Sequence, residues 1–199
     1  MSPYIETIKL LDGTLRNLHY HQLRFERTRS HELGLKNHPR LEDVIMVPNG
    51  LDRGLFRCRV LYGKEIDRIE IEPHKRREIR SLKLVVSDTI IYDYKSSDRR
   101  ALEILFQLRD SCDDILIVKN GYITDSYIAN VIFWDGEGWY TSDTPLLPGT
   151  MRACLLDEGI IETRRITPDD LGKFKKIILI NALNSLEEGP EISIDAVKF

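Results

Sequence analysis

The chain has 199 residues, 42% of them hydrophobic, so it can bury a sizeable core in one or two compact domains. Its formal net charge of -3 gives no general electrostatic attraction to nucleic acid or to an anionic membrane, and neither partner is expected. Three widely spaced cysteines, Cys58, Cys112 and Cys154, argue against a disulfide framework and a CxxC metal site, and they suit a reducing cytoplasm.

The first residues, Met1-Ser2-Pro3-Tyr4, contain no basic segment followed by an apolar stretch. No later apolar run approaches the roughly 20 residues needed to span a bilayer. The sequence therefore predicts a soluble chain that is not exported and that resides in the cytoplasm.

Residues 1–75 predict a small α+β domain, because strand-like segments flank a single helical segment. The predicted elements in chain order are a strand at 5–11, a hairpin turn at Asp12-Gly13, a partner strand at 15–18, a surface helix at 19–33 stopped by Gly34, a strand at 56–62 and a returning strand through Ile66, Ile69 and Ile71. The charged stretch 72–80, with Pro73 near its start, predicts a linker.

Residues 76–199 predict a larger domain with buried strands, because its apolar runs are short and largely β-branched. The expected strands are 82–86, 115–118, 130–134 and 176–180. A helix with Asp98 as N-cap is expected from the spacing of Leu102, Leu105, Phe106 and Leu108. A second helix is expected to start at Gly149.

Lys95 is the candidate on which the functional prediction depends. It lies between the strand predicted at 82–86 and the helix predicted near Asp98. A lysine amine can form a Schiff base with pyridoxal 5'-phosphate and can then move a proton as a general base. Taken alone, a lysine in such a segment is far more often a solvated turn residue.

Other segments supply the further groups that this cofactor needs. A carboxylate at Asp125 could keep the pyridine nitrogen protonated. A helix entered at Gly149 could present amide groups and a dipole to the phosphate, and Arg24 could add a bidentate contact. In isolation each has a plainer interpretation: a turn or capping aspartate, an ordinary loop-to-helix junction and a solvated helix arginine.

Taken jointly, these segments resemble the class IV aminotransferase family, the fold-type IV pyridoxal phosphate enzymes. Residues 21–25, His-Gln-Leu-Arg-Phe, are similar to the family's His-x-x-Arg-Leu motif, and 95–100 to its Schiff-base lysine segment. Residues 124–130 resemble Thr-Glu-x-x-x-x-Asn, with aspartate replacing the usual glutamate. Residues 140–152 resemble the phosphate-binding stretch, and 180–184 the late strand-end segment in its lyase form.

The resemblance implies a two-domain α+β and α/β fold like that of D-amino acid aminotransferase, with a larger, barrel-like C-terminal domain. It implies Lys95 as the catalytic residue, a small amino-acid-like substrate, a homodimer and no metal. The implied cofactor-binding residues are Arg24, Lys95, Asp125, Gly149, Thr150, Met151, Asn181 and Ala182.

Among the family's activities, we expect an aminodeoxychorismate lyase of folate biosynthesis, which converts 4-amino-4-deoxychorismate to 4-aminobenzoate and pyruvate. This expectation rests on the short chain and on Asn181-Ala182-Leu183. The alternatives are an aminotransferase acting on a branched-chain or other amino acid, and a non-catalytic domain that retains the fold. The short segment after Gly63 leaves no room for the loop from which D-amino acid aminotransferases bind the substrate carboxylate. Three arginines remain as candidates for binding the substrate carboxylate, namely Arg57, Arg59 and Arg99.

Overall fold

The computed structural model describes residues 3–199; Met1 and Ser2, which belong to the segment predicted to carry no export signal, lie outside the described residues. The chain forms two compact units. The first contains the residues up to Arg76 together with Tyr94–Asp98, and the second contains Arg77–Asp93 and Arg99–Phe199. Lys95 therefore belongs to the first unit. The division at 75/76 stays a prediction.

The first unit is built on a four-stranded antiparallel sheet, in the order β2-β1-β3-β4. Its elements are β1 (Tyr4–Leu11), β2 (Thr14–Leu15), α1 (Leu18–Leu33), α2 (Leu41–Val44), β3 (Leu55–Tyr62) and β4 (Ile66–Pro73). The predicted turn is confirmed by positive φ angles at Asp12 and Gly13, which this hairpin geometry demands. The strand predicted at 15–18 is wrong beyond Leu15, because left-handed Asn17 turns the chain into α1 at Leu18.

Helix α1 buries several polar residues along with Phe25. Leu23 is half exposed, whereas His21, Arg24 and Phe25 are buried. Gly34 ends the helix, as predicted; it adopts the left-handed conformation, and its N–H donates to the carbonyl of Ser30. The burial of His21 and Arg24 is explained by an acidic partner on β1, described below.

The second unit is built on a nine-stranded mixed sheet. Its strands are β5 (Leu82–Val86), β6 (Asp114–Lys119), β7 (Tyr122–Ser126), β8 (Asn130–Trp134), β9 (Trp139–Ser142), β10 (Glu162–Arg164), β11 (Lys176–Ile180), β12 (Glu191–Ser193) and β13 (Val197–Lys198). Its helices are α3 (Arg100–Gln107), α4 (Thr150–Asp157) and two short 3-10 helices, Pro168–Lys173 and Ile194–Ala196. The mixed α and β architecture, with a small and a larger sheet, is confirmed.

Three strands of the second unit converge on Asn130. Asn130 is the first residue of β8. It pairs with Asp125 of β7 on one side and with Ile180 of β11 on the other. The sheet order β10-β9-β8-β7-β6-β5-β13 therefore branches at β8, where β11 also pairs. Helix α3 begins at Arg100 with Arg99 as N-cap, one residue later than a start capped by Asp98 would place it. Among residues 3–199, no helix is long and apolar enough to cross a membrane.

Candidate functional site

The main chain of Lys95 is fixed against the start of β1. The Ile5 N–H donates to the Lys95 carbonyl at 3.0 Å, and the Ser97 N–H donates to the Pro3 carbonyl at 2.9 Å. Tyr4 and Ser96 form an antiparallel bridge between these contacts. The side chain of Lys95 is half-buried. The short segment that carries Lys95 thus lies beside the start of β1, next to Glu6.

Glu6 organises a buried polar cluster with His21 and Arg24 of α1. The Arg24 guanidinium donates from Nε to Glu6 Oε1 at 2.9 Å and from Nη2 to Oε2 at 2.6 Å. Nδ1 of His21 lies 2.6 Å from Oε2 of the same carboxylate. Glu6 and His21 are fully buried and Arg24 is 7% exposed, so the ion pair lies away from solvent.

Electrostatics favour an ionised Glu6 and a neutral His21. Burial alone would raise the pKa of Glu6, but the charge of Arg24 and hydrogen bonds from His21 and Arg24 hold the pKa at about 2. Burial lowers the pKa of His21, the Glu6 contacts oppose this, and the charges of Arg24 and Lys95 lower the pKa further. A neutral imidazole next to a carboxylate donates its Nδ1–H, so Glu6 accepts hydrogen bonds from both His21 and Arg24.

The first unit therefore brings Lys95 and Arg24 together around the start of β1. Arg24 has five N–H donors, and Glu6 accepts from two nitrogens of that fork. Any phosphate contact made by Arg24 must use its other N–H groups. The arginine is buried and paired with an acid, unlike the solvated helix arginine considered as the plainer interpretation.

Asp125 is a buried acid in the second unit, held on both carboxylate oxygens. Oδ1 accepts a hydrogen bond from Asn130 Nδ2 at 2.8 Å, and Oδ2 accepts one from the Leu147 N–H at 2.9 Å. The residue is 6% exposed. Burial raises the pKa of Asp125 to about 6, although both hydrogen bonds and the charge of Arg152 act to lower it. This is a strand residue rather than a turn or capping aspartate.

The raised pKa of Asp125 predicts a measurable pH dependence in the cofactor-free protein. The folded-state pKa of about 6 exceeds the ordinary value of 3.8, so the stabilising contribution is present below 3.8 and is lost as pH rises through 6. The stability of the wild type relative to Asp125→Asn should fall by about 3 kcal/mol over this range. Urea unfolding at several pH values measures that difference. A difference that stays constant with pH would contradict the raised pKa.

Gly149 and the start of α4 lie directly against Asn130. A Cβ at Gly149 would lie 2.0 Å from Asn130 Oδ1. The φ of Gly149 is -73°, which any residue adopts, so packing rather than backbone conformation requires glycine here. Thr150 and Met151, the first two residues of α4, are both buried. Within the described residues, no side chain caps this helix, and its first turn contains no acid, an arrangement that favours an anion.

Asn181 and Ala182 follow the end of β11. Ile180 pairs with Asn130, and Asn130 pairs with Asp125 on its other side. Asn181, the residue after Ile180, therefore lies near this pair of strand residues. The Asn181 side-chain oxygen accepts from the N–H groups of Leu183 at 2.9 Å and Asn184 at 3.1 Å. These bonds form a tight turn in which Ala182 is half-buried. The structure thus brings Asp125, Gly149, Thr150, Met151 and Asn181 to one region of the second unit.

The three arginines left open for a substrate carboxylate all have partners. Arg57 pairs with Glu72 at 2.8 Å and Arg59 with Glu70 at 2.5 Å across the β3–β4 ladder. Arg99 donates to the Tyr127 carbonyl at 2.8 Å and its guanidinium carbon lies 4.5 Å from the centre of that ring. These contacts do not single out one of the three for the substrate.

Sequence reasoning missed Glu6 as a site residue. In β1, Glu6 and Ile8 are buried two residues apart, and Ile8 packs in the cluster that contains Phe25 of α1. An acid on the buried face of a strand requires a charged or hydrogen-bonding partner, and this pattern was the available signal. Among residues 3–199, no group of three or more His, Cys, Asp or Glu side chains is arranged to hold a metal ion.

The chain is similar to known proteins over most of its length. The family model for amino-transferase class IV matches residues 74–186. An uncharacterised protein from Haemophilus influenzae is 40% identical over 188 residues, which cover 94% of this chain and 100% of that protein. The range matched by the family model includes Lys95, Asp125 and Gly149.

Solved structures share the fold over nearly the whole chain. A crystal structure from Haemophilus somnus, provisionally described as a 4-amino-4-deoxychorismate lyase, is 37% identical with a TM-score of 0.89, covering 94% of this chain and 98% of that one. A structure from Mesorhizobium loti, provisionally described as an amino-acid aminotransferase, is 26% identical with a TM-score of 0.78, covering 96% and 98%. The expected fold-type IV architecture is confirmed.

Proposed function

Because the chain belongs to the class IV aminotransferase family, we propose that it is a pyridoxal phosphate enzyme that cleaves 4-amino-4-deoxychorismate to 4-aminobenzoate and pyruvate. The observation that supports a cofactor enzyme most strongly is the direct bonding of a buried acid, Asp125, to the segment that opens α4. A cofactor with a basic ring nitrogen and a phosphate needs an acid and an anion site held at a fixed spacing.

The residues present fit this cofactor chemically. Burial and a raised pKa suit Asp125 to a cationic partner, because a protonated ring nitrogen would restore the carboxylate's preference for the ionised form. The start of α4 suits a phosphate, because its dipole is positive there and no acid occupies the first turn. When bound, pyridoxal phosphate supplies an electrophilic carbonyl carbon and an electron-accepting ring.

Each residue then has a defined task. The amine of Lys95 would hold the cofactor covalently and, once released, would move the proton on the substrate carbon that bears the amine. Asp125 keeps the ring nitrogen protonated. The backbone N–H groups of Thr150 and Met151 would bind the phosphate, and Arg24 is the candidate in the first unit for an anion of this kind. Asn181 and Ala182 border the same cofactor.

The position of Lys95 suits this task. Its main chain is fixed by the Ile5 and Ser97 contacts, so the side chain starts from a defined point on the first unit. Two buried charges nearby, Glu6 and Arg24, compensate each other. The lysine therefore shares its surroundings with a cation that is already neutralised, which limits the repulsion between the two positive groups.

The lyase is preferred because Asn181-Ala182-Leu183 matches the lyase form of the late segment and because of the similarity to the Haemophilus somnus structure. An aminotransferase is the second candidate, favoured by the similarity to the Mesorhizobium loti structure. Both reactions require the same acid, amine and anion site. The homodimer, the amino-acid-like substrate and the cytoplasmic location stay predictions.

A product assay separates the two reactions. Purified protein supplied with pyridoxal phosphate is incubated with 4-amino-4-deoxychorismate, and pyruvate is measured with a coupled dehydrogenase. We expect stoichiometric release of pyruvate and 4-aminobenzoate. A parallel incubation with L- and D-amino acids follows conversion of the cofactor to its amine form. Conversion with an amino acid, without pyruvate release, would replace the lyase by the aminotransferase. A protein that stays colourless with added cofactor would be a non-catalytic domain.

A further inference from the structure

We propose that Asn130 is a positioning residue that holds the Asp125 carboxylate and the start of α4 together as one rigid pair. This inference rests on the proposed function and deepens it. It names the side chain that sets the spacing between the acid for the ring nitrogen and the helix terminus for the phosphate. Asn130 acts through these two groups.

The amide nitrogen of Asn130 uses both of its N–H donors on this pair. One is donated to Asp125 Oδ1 at 2.8 Å and the other to the Leu147 carbonyl at 2.9 Å. The Leu147 N–H donates in turn to Asp125 Oδ2 at 2.9 Å. The three residues close a ring of hydrogen bonds in which the carboxylate and the residues leading into α4 cannot move independently.

The other side of the same amide determines how closely α4 can approach. Asn130 Oδ1 lies where a Cβ on Gly149 would come within 2.0 Å. Gly149 is the N-cap of α4, so this contact sets the position of the first turn. A side chain at Gly149 and the amide at Asn130 cannot both occupy that space without displacing the helix start.

The backbone of Asn130 is fixed from two directions, which makes its side chain a stable reference point. It pairs with Asp125 in β7 and with Ile180 in β11. The residue is 6% exposed, so shortening its side chain would remove hydrogen bonds from groups that are themselves buried. Truncation should therefore affect both the acid and the helix terminus.

Two variants and one matched control test the role. Asn130→Ala removes both donors and the oxygen that faces Gly149. Asn130→Asp keeps the shape but turns an anionic oxygen toward Asp125. Thr124→Val is the control, because Thr124 is also buried, is adjacent to Asp125 on β7, and loses one hydrogen bond, from Oγ1 to the Ile117 carbonyl at 3.1 Å.

We expect the dissociation constant for pyridoxal phosphate to rise about tenfold or more in both Asn130 variants, since a buried group loses its partner in each. In cofactor-free Asn130→Ala, the pH at which Asp125 titrates should move upward, because the Asn130 hydrogen bond lowers the pKa of that acid. Thr124→Val should lower the melting temperature while leaving both the dissociation constant and the titration midpoint at their wild-type values.

A double variant covers the case in which a single variant folds poorly, because it compares the effect of one substitution in two backgrounds. Gly149→Ala should weaken cofactor binding strongly in the wild-type background, because its Cβ meets Asn130 Oδ1. In the Asn130→Ala background the obstruction is gone, so adding Gly149→Ala should cause little further loss. Equal losses in the two backgrounds would count against the proposal.

The proposal is overturned if Asn130→Ala lowers the melting temperature as Thr124→Val does while binding pyridoxal phosphate with wild-type affinity and an unchanged titration midpoint. If wild-type protein itself gives no visible absorption band with pyridoxal phosphate, the proposed function fails and this inference fails with it. The wild-type spectrum distinguishes that outcome from a failure confined to Asn130.

Discussion

Replacing Lys95 with alanine is expected to abolish the visible absorption that the protein shows with pyridoxal phosphate and to lower the turnover number by a factor of about 100 to 10,000 or more. The visible band requires a bond between a lysine amine and the cofactor, and the proton transfers assigned to Lys95 contribute a factor of this order. The measurement is an absorbance spectrum of the purified variant, followed by the pyruvate assay.

Two further lysine variants make the result specific. Lys95→Arg keeps a positive charge at position 95 but offers no nucleophilic amine, so this variant should also be colourless. Lys9 is a buried lysine in the first unit, and Lys9→Met should retain the band and the activity. A wild-type band in Lys95→Arg would show that charge, rather than covalent attachment, explains the effect of the alanine variant.

Replacing Glu6 with glutamine is expected to produce the largest loss of stability in the first unit, about 3–5 kcal/mol in the free energy of unfolding. The substitution leaves the Arg24 guanidinium buried without an anion, which is costly because a buried charge has no water to solvate it. The lowered pKa of Glu6 leads to a similar value. A shift from 4.5 to about 2 corresponds to about 3 kcal/mol.

The pH dependence of the Glu6 variant provides an independent check. The folded-state pKa of Glu6 lies below its unfolded value, so its contribution is fully present above 4.5 and is lost as pH falls through about 2. The wild type should lose stability over that window relative to Glu6→Gln. Unfolding curves at neutral and acidic pH measure this difference, and parallel curves would show that Glu6 is not ionised in the folded protein.

A paired replacement separates the ion pair from simple packing. The double variant Glu6→Leu with Arg24→Leu removes both charges, and it should recover much of the stability lost in Glu6→Gln while still failing to retain cofactor. Glu72→Gln is the surface control, because Glu72 is exposed and pairs with Arg57 on the β3–β4 ladder; little change is expected. Wild-type cofactor retention in the double variant would remove Arg24 from the phosphate site.

Short buried strands were the part of the fold that sequence patterns predicted best. The segments 82–86, 130–134 and 176–180 are strands with those bounds, because short β-branched runs have few alternatives to a buried sheet position. Strands β9 and β10 were missed, since Trp139–Ser142 and Glu162–Arg164 are short and one of them is polar throughout. Their pairing depends on neighbours distant in sequence.

The candidate site shows a similar division between local and non-local information. The order of Lys95, Asp125 and Gly149 is readable from the chain, because motifs are local. The partnership of Arg24 with Glu6 is not, because it depends on which face of α1 meets β1. The position of Asn130 against Gly149 likewise depends on the register of β8 with β7, which hydrophobic patterns constrain only to the correct face.

Chemical trapping at Lys95 tests the account most directly. The protein is incubated with pyridoxal phosphate, reduced with borohydride to make the lysine–cofactor bond permanent, digested, and analysed by mass spectrometry. The account predicts that the cofactor's mass is found on the peptide that carries Lys95 and is absent from peptides carrying Lys9 or Lys119. Labelling of a different lysine, or no stable label in protein that binds the cofactor, would contradict it.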